Sequence, residues 1–160
     1  MRPDPAGSDP DGSDPAAGHP AGSDPAEMVR LLERATNAHD LDAIVACFAA
    51  DYRNETPAHP ARGFTGRDQV RANWTQIFAA IPDLGVEVLR TSVTADTVWS
   101  EWVHRGTKPD GSVHLMRGVV IFGVESGRAT WARFYLEPVQ HGGGGVADAV
   151  RSQVTPEPAS

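Results

Sequence analysis

The sequence predicts an α+β fold in which about three N-terminal helices pack in a curved antiparallel sheet. Up to Ile81 the large apolar residues recur every three or four positions, which is the spacing of one helix face. Beyond Pro82 they follow the two-residue period of strands, with turn signals between them. Helices followed by a run of consecutive strands are typical of α+β proteins and argue against a parallel sheet of alternating strands and helices.

Two capping motifs predict the first two helices. Asp24 can cap the first helix and Pro25 suits its first turn, while Asp40 can cap a shorter second helix. The inward face of the first helix is expected to comprise Met28, Leu31, Leu32 and Ala35. The inward face of the second is expected to comprise Ile44, Val45 and Phe48.

A short strand over 52–56 and a loop rich in proline and glycine precede the third predicted helix. This helix covers about 67–81, and Pro82 ends it because proline cannot continue the helical hydrogen bonds. Its apolar face, at helical spacing, comprises Val70, Trp74, Ile77, Phe78 and Ile81.

Four strands are predicted in the second half of the chain: 86–93, 98–107, 113–124 and 128–137. The third of them is apolar on both faces, with Val119 and Ile121 on one and Val120 and Phe122 on the other. A strand that is apolar on both faces is normally covered on both. We expect helices to cover one face and a second copy of the chain to cover the other, which predicts a homodimer.

The two ends of the chain differ in composition from its middle. Residues 1–23 repeat units such as Asp-Pro-Ala-Gly-Ser and are almost free of large apolar side chains. Such a segment cannot offset its ordering entropy by burial, so it is expected to be disordered. Residues 24–139 are expected to form one domain. Residues 140–160, which contain a run of four glycines, are expected to be a second flexible tail with room for a short helix at 146–150.

Charge and composition narrow the expected partners. The net charge is −7 and no basic run exists, so nucleic acid is not expected as a partner. No apolar run reaches the ~18 residues of a membrane span, so no membrane partner is expected either. Cys47 is the only cysteine and no signal peptide is visible, which favours the cytoplasm. The histidines show no ligand spacing, and we expect neither a metal nor another cofactor.

Four short segments between Glu27 and Glu137 carry a resemblance to a known family. They read Asn-Ala-His-Asp-Leu-Asp-Ala-Ile-Val at 37–45, Gly-Arg-Asp-Gln-Val at 66–70, Arg-Gly-Val-Val-Ile-Phe at 117–122 and Gly-Arg at 127–128. In their order and spacing the chain resembles the NTF2-like superfamily and, within it, the SnoaL-like domain proteins. The resemblance implies a cone, in which helices close a curved sheet around a pocket, and a dimer through the outer face of the sheet.

The same resemblance bears on chemistry, because the superfamily includes polyketide cyclases, limonene epoxide hydrolases, ketosteroid isomerases and non-catalytic subunits. The tyrosine, the aspartate base and the second acid of the isomerases fall on Leu32, Thr56 and Val120. None of these residues can replace the family's acids, so isomerase chemistry of that type is not expected. The acid of the SnoaL cyclases also falls on Val120, which argues against their ring-closing mechanism.

The epoxide hydrolases offer a closer match at one motif. Their Tyr-x-Asn, which holds a water, resembles Tyr52-Arg53-Asn54 here. Their Asp-Arg-Asp relay, however, falls on Trp102, His104 and Phe134. The resemblance therefore implies that two water-holding side chains are present and that the ionic relay is absent.

Strand alternation predicts which residues share the pocket. If Asn54 points inward, Tyr52 and Thr56 do as well. The resemblance adds further lining residues: Trp102, His104, Met116, Val120, Phe122 and Phe134 inside, His114 near the mouth, and Trp74 as one wall. A different register of the strand 98–107 would instead place Glu101 and Val103 inside.

His104 is the one residue deep in this predicted pocket that exchanges protons near neutral pH. One hypothesis makes it a general base acting on a water held by Asn54 and Tyr52. The other makes it a hydrogen-bonded structural histidine.

The outer face of the sheet has two interpretations as well. Arg117, Arg133 and Glu137 form either a cross-strand ion pair or, with Trp131 and Tyr135, anchors of the dimer; we favour the dimer.

Two functions follow from these residues. The first is binding of a small, mostly apolar molecule in the cone pocket, with hydrolase, cyclase or dehydratase chemistry that needs no cofactor. The alternative is a non-catalytic ligand-binding or dimerisation module with a vestigial pocket. The missing acids favour the alternative, whereas Tyr52, Asn54 and His104 together favour the first, so the sequence leaves open whether the protein is an enzyme.

Overall fold

The computed structural model describes residues 24–156, so the segment 1–23 predicted to be disordered lies outside the described residues. The helices are α1 (Pro25–Asn37), α2 (Leu41–Ala46), α3 (Arg67–Ala80) and α4 (Val146–Val154). The strands are β1 (Phe48–Glu55), β2 (Phe64–Thr65), β3 (Gly85–Thr94), β4 (Thr97–Thr107), β5 (Val113–Glu125) and β6 (Arg128–Pro138). A 3₁₀ turn over Pro60–Arg62 lies between β1 and β2.

The six strands form one sheet in the order β2-β1-β6-β5-β4-β3. Strands β3 to β6 form the predicted antiparallel meander, and β1 pairs with β2 in the antiparallel sense. The predicted antiparallel sheet is mixed at one place, because β1 runs parallel to β6. No hairpin joins these two strands, since α3 and four strands intervene, so their direction is not restricted to the antiparallel one. The α+β class is confirmed.

The predicted caps of the first two helices are confirmed. The Asp24 side chain accepts a hydrogen bond of 3.0 Å from the Ala26 amide, and the Asp40 side chain accepts one of 3.0 Å from the Ala43 amide. The buried face of α1 is rotated slightly from the predicted one, because Val29 is buried whereas Leu31 is 45% exposed.

Phe48 does not belong to the second helix, contrary to the prediction. Cys47 caps α2, and Phe48 begins β1, where it is paired with Ala129 of β6 and is buried. Phe48 lies three and four residues after Val45 and Ile44, which is helical spacing. Its position alone therefore could not distinguish the end of α2 from the start of β1.

The helices pack on the inner face of the sheet and form one core with it. The apolar face of α3 is as predicted, since Val70 and Ile81 are buried and Trp74, Ile77 and Phe78 pack against the core. On β4, Val98, Ser100 and Trp102 are buried on this inner side. The register that places Trp102 and His104 inside is therefore the observed one.

The outer face of the sheet carries a separate apolar patch. Val103 and Ile121 are buried there, outside the main core. Trp131 packs over Gly123, where a Cβ would collide with the indole ring. Two large aromatic side chains remain exposed on this face: Trp99, 52% exposed, and Tyr135, 44% exposed.

Beyond the sheet, residues 140–145 connect β6 to α4. The sequence allowed a short helix at 146–150, and α4 extends to Val154. All its residues are exposed, including Val146, Val150 and Val154.

Candidate functional site

A cavity of about 250 Å³ lies between β1, α3, β6 and the loop that follows β1, and we call it the main cavity. Eight of its lining side chains are apolar or aromatic and come from the helices and the sheet: Phe48, Tyr52, Phe64, Val70, Trp74, Ile77, Phe134 and Leu136. Four polar side chains complete it: Asn54, Thr56, Arg62 and Asn73. Apolar walls with a few polar groups are typical of small-molecule sites.

Tyr52 and Asn54 lie two residues apart on β1, so both side chains reach the same face of the sheet. The buried Tyr52 hydroxyl donates a hydrogen bond of 3.0 Å to Oδ1 of Asn54. Burial raises the pKa of Tyr52 far above its ordinary value, which keeps the hydroxyl protonated as a donor. Because the bond uses the oxygen of the Asn54 amide, the NH₂ group is the end that is left for a ligand.

The amide nitrogen of Asn54 has no hydrogen-bond partner within residues 24–156. Every fully buried polar side-chain atom in this range has a hydrogen-bond partner. Since this nitrogen has none, it is not fully buried. Since Asn54 lines the main cavity, its NH₂ group is a free donor toward that space.

Asn73 presents a second donor on the opposite wall. Its Oδ1 accepts a hydrogen bond of 2.8 Å from Gln69, which leaves its NH₂ group available. Thr56, at the end of the first strand, adds a hydroxyl. The polar lining therefore consists of donors and one hydroxyl, and no carboxylate is among the twelve residues that line the main cavity.

Arg62 lies at the rim of the main cavity, in the 3₁₀ turn, close to Glu137 of β6. Its Nη1 is 3.7 Å from Oε1 of Glu137, whereas Nε2 of His59 is 3.1 Å from the same oxygen. These two contacts hold the loop after β1 against the last strand of the meander.

The alternative interpretation of the outer face, an ion pair between Glu137 and Arg117 or Arg133, is not observed. Glu137 lies opposite Arg117 in the β5–β6 register, but its carboxylate contacts the loop after β1. Arg133 instead donates from Nε to Glu55 at 2.9 Å, because β1 lies beside β6 in the parallel pairing that the sequence did not reveal.

A much smaller space of about 20 Å³ lies deeper in the cone, and we call it the inner pocket. Its lining comprises Leu32, Trp102, His104, Val120, Phe122, Phe134 and Leu136. A space of this size holds about one water molecule. Phe134 and Leu136 line both spaces, so the inner pocket and the main cavity adjoin at these two side chains.

His104 is largely enclosed between two indole rings. Its ring lies 5.9 Å from that of Trp102 and 6.3 Å from that of Trp74, measured between centroids. Burial lowers the pKa of His104 to about 4, and the nearby His114 adds to this shift. The imidazole is therefore neutral at neutral pH, and it makes no side-chain hydrogen bond with any of the residues described.

Trp102 is fixed by a short chain of hydrogen bonds. Its Nε1 donates to Oγ of Ser100 at 2.8 Å, and this hydroxyl donates to the carbonyl of Val120 at 2.7 Å. All three residues are buried, so the wall of the inner pocket beside His104 is held rigidly across β4 and β5.

The predicted site residues are thus distributed over two spaces. Tyr52, Asn54, Thr56 and Trp74 line the main cavity, while Trp102, His104, Val120 and Phe122 line the inner pocket. Phe134 lines both. Met116 lies opposite His104 and His114 opposite Gly106, toward the β4–β5 hairpin, and neither lines either space.

Several lining residues were not expected from the sequence: Phe48, Arg62, Phe64, Val70, Asn73, Ile77 and Leu136. Helical spacing was a usable signal for Asn73, which lies three residues after Val70 on the inward face of α3. Alternation from Phe134 was a usable signal for Leu136. Arg62 lies in an irregular loop, where no periodicity indicates direction.

No group of three or more histidine, cysteine, aspartate or glutamate side chains in residues 24–156 is arranged to hold a metal ion. None of the helices in the described part of the chain is long and apolar enough to cross a membrane. The chemistry that the site offers is hydrogen-bond donation from amides, a hydroxyl and a guanidinium, together with a neutral imidazole deeper in the cone.

Solved structures share this arrangement of helices and sheet. The proposed polyketide cyclase IdmH from Streptomyces antibioticus is 22% identical, with 72% of this chain and 93% of that one matched at a TM-score of 0.64. RV0760c from Mycobacterium tuberculosis, solved with estradiol-17beta-hemisuccinate, is 25% identical over 69% of this chain and 91% of that one, at a TM-score of 0.60. A computationally designed 17-OHP binder is 27% identical over 69% and 92%, at a TM-score of 0.59.

No match was found among proteins with curated annotation. The family model of the SnoaL-like domain matches residues 28–132, from the first helix into the last strand of the sheet. The resemblance drawn from the short segments of sequence is confirmed by this match and by the shared NTF2-like architecture. The chain therefore belongs to the SnoaL-like domain family.

Proposed function

We propose that the protein binds a small, mostly apolar molecule in the main cavity, with a hydrogen-bond acceptor of the ligand placed on the Asn54 amide. The observation that carries this proposal is the Tyr52–Asn54 hydrogen bond of 3.0 Å, which leaves the NH₂ group of Asn54 as an oriented donor among apolar walls. A fixed donor in an apolar cavity rejects molecules that cannot pair with it, because its desolvation is then uncompensated.

Cavity size and relatives support the same ligand class. About 250 Å³ is at the small end of the volumes of ligand sites, which favours a ligand smaller than most drug molecules. RV0760c was solved with a steroid derivative and another relative was designed to bind 17-OHP, so similar folds accommodate apolar ring systems.

Calorimetric titration with a small apolar ketone such as 2-decalone tests the proposal. The unsubstituted protein should bind it, and Asn54→Ala should weaken binding about two- to tenfold through loss of one hydrogen bond. Gln76→Ala is the matched control, because Gln76 is exposed on α3 and does not line the main cavity. If apolar ketones, esters and epoxides all fail to bind, or if Asn54→Ala binds as tightly as the unsubstituted protein, the proposal is wrong.

A second candidate is catalysis without a cofactor: hydrolysis, dehydration or cyclisation, with His104 as general base and Asn54 and Tyr52 orienting a water. The neutral imidazole favours it, because His104 is free to accept a proton at neutral pH. Its low pKa and its position outside the lining of the main cavity favour the non-catalytic module instead, since a weak base at that position contributes little. Of the two, ligand binding is the function that the geometry supports better.

His104→Gln distinguishes catalysis from binding alone. A positioned general base contributes about 10²–10⁴-fold in rate, so the variant should lose that factor in kcat on any epoxide, lactone or polyketide-like substrate found. Its affinity for 2-decalone should remain unchanged, because His104 does not line the main cavity. A variant that keeps most of its turnover would refute the role of His104 as a base.

We also propose a homodimer through the outer face of the sheet. The exposed aromatic rings of Trp99 and Tyr135 support it, because interfaces are enriched in such residues. A cytoplasmic location is proposed as well. It is supported by the presence of a single cysteine, Cys47, which is buried and forms no disulfide.

A further inference from the structure

The main cavity has one charged side chain among its lining residues. This is Arg62, at the rim, and no aspartate or glutamate joins it in the lining. The three other polar groups, on Asn54, Asn73 and Thr56, are two amide donors and a hydroxyl. The lining therefore offers a positive charge and hydrogen-bond donors to whatever enters, and no negative charge.

The guanidinium of Arg62 is incompletely used within the protein. Its contact with Oε1 of Glu137 is 3.7 Å, which is longer than a hydrogen bond, and it makes no other ion pair within residues 24–156. Glu137 has a closer partner in His59 at 3.1 Å. The five N–H donors of Arg62 are thus available, in a planar fork that matches the two oxygens of a carboxylate.

We propose that the natural ligand is an apolar monocarboxylate, with its carboxylate between Arg62 at the rim and the Asn54 amide, and its hydrocarbon part against Trp74 and Ile77. This inference rests on the proposed function and adds the charge of the ligand to it. A ligand amine has no acceptor of opposite charge in the lining, because Glu137 does not belong to it. A neutral ligand gains nothing from the guanidinium, which then keeps only its 3.7 Å contact with Glu137 and its hydration.

Glu137 gives the inference a second, independent consequence. Its carboxylate lies 3.7 Å from Arg62, so it both competes for the guanidinium and repels an incoming anion. Removing the charge of Glu137 should therefore strengthen the binding of a carboxylate and leave the binding of a neutral molecule unchanged.

Two probes of nearly equal size test the charge of the ligand: 1-naphthaleneacetate and 1-naphthaleneacetamide, each titrated by calorimetry at low salt. The unsubstituted protein should bind the carboxylate about five- to tenfold more tightly than the amide. Arg62→Gln should abolish that preference while the affinity for the amide stays within about twofold. Glu137→Gln should tighten only the carboxylate, by about two- to threefold.

Arg71→Gln is the matched control, because Arg71 is an exposed arginine paired with Asp42 at 2.8 Å and lies outside the cavity lining. It should keep the full preference for the carboxylate. Should Arg62→Gln fold poorly, Arg62→Lys retains the charge without the fork and should show a reduced preference.

The outcomes separate this inference from the proposed function. If the unsubstituted protein binds both probes equally, or if Arg62→Gln keeps the preference, the monocarboxylate is refuted while ligand binding in the main cavity stands. If neither probe binds and apolar ketones fail as well, the proposed function fails and the inference fails with it.

Discussion

The hydroxyl of Tyr52 donates a 3.0 Å hydrogen bond to the side-chain oxygen of Asn54, two residues further along the same strand. The bond joins two buried polar groups in the apolar floor of the main cavity. Each would be destabilising alone, because a buried polar group without a partner loses its hydration without compensation. Together they hold one amide in a single orientation.

Tyr52→Phe removes the donor of this pair and should lower the free energy of unfolding by about 1–2 kcal/mol. The affinity for a ligand that accepts a hydrogen bond from Asn54 should also fall, because the amide is no longer held in one orientation. Urea denaturation and calorimetric titration measure the two effects. Tyr135→Phe, at an exposed position, is the control and should change neither quantity. A Tyr52→Phe variant with unchanged stability would contradict this account of the pair.

The Tyr52–Asn54 pair was predictable from the sequence, because alternation along a strand places residues two apart on one face. Helical spacing likewise predicted the apolar face of α3. Both features depend on local spacing, which the sequence records directly. The inward direction of Trp102 and His104 came from the family resemblance, because local spacing left two registers open. The family resemblance supplied the cone that closes around them.

Other parts of the site depend on contacts between distant segments, which local spacing does not record. The parallel pairing of β1 with β6 brings Glu55 to Arg133, and the loop after β1 brings His59 and Arg62 to Glu137. Opposite charges were visible on neighbouring strands, so the ion-pair alternative considered only Arg117 and Arg133 as partners of Glu137. The division of the predicted residues between two spaces, with Asn54 in one and His104 in the other, likewise depends on side-chain packing between elements, which strand alternation does not reveal.

The lowered pKa of His104 predicts a pH dependence of stability. In the unfolded chain this histidine titrates near 6.5, whereas in the folded protein its pKa is about 4. Between these values the unfolded chain binds a proton that the folded protein does not, so the free energy of unfolding falls as the pH is lowered from 6.5 to about 4. The contribution present above pH 6.5 is about 3 kcal/mol, and most of it is lost by about pH 4.

Urea titrations of the unsubstituted protein and of His104→Gln at pH 7.5, 5.5 and 4.5 measure this effect. Carboxylates contribute equally to both proteins. The difference between the two slopes of unfolding free energy against pH therefore reports the contribution of His104 alone. The variant should lose less stability over this range. Parallel curves for the two proteins would show that His104 is protonated in the folded state as readily as in the unfolded one.

The proposed dimer predicts a specific response on the outer face. Tyr135→Asp, at a side chain 44% exposed in the single chain, should yield a folded monomer because a charge is buried at the interface. Light scattering gives the mass, and circular dichroism shows whether the fold is intact. Ile121 is unsuitable for this test, since it is only 6% exposed in one chain and a charge there would unfold the protein itself.

Leu31→Asp is a matched control for the dimer, because Leu31 is exposed to a similar degree but lies on α1, away from the outer face. It should leave the mass of the dimer unchanged. A stable dimer of Tyr135→Asp would exclude this interface, and a monomeric unsubstituted protein at high concentration would exclude the dimer altogether.

Phe134 predicts the size of the ligands that the cone accepts. Its ring lines both the main cavity and the inner pocket and packs edge-on against Phe122, with 6.3 Å between centroids. Phe134→Ala should join the two spaces at a cost of about 2–4 kcal/mol in stability. The affinity for a steroid ketone should then rise relative to that for 2-decalone, because the longer molecule can extend past β6 toward His104.

Ile77→Ala is the control for Phe134→Ala, because Ile77 lines the main cavity but not the inner pocket. Its truncation enlarges the main cavity without opening the inner pocket. Calorimetry gives the ratio of the two affinities, and the ring signals of His104 in nuclear magnetic resonance spectra report whether the ligand reaches it. The steroid ketone should perturb these signals in Phe134→Ala and leave them unchanged in Ile77→Ala. Equal affinity ratios in the two variants, with His104 unperturbed in both, would mean that Phe134 does not separate the two spaces.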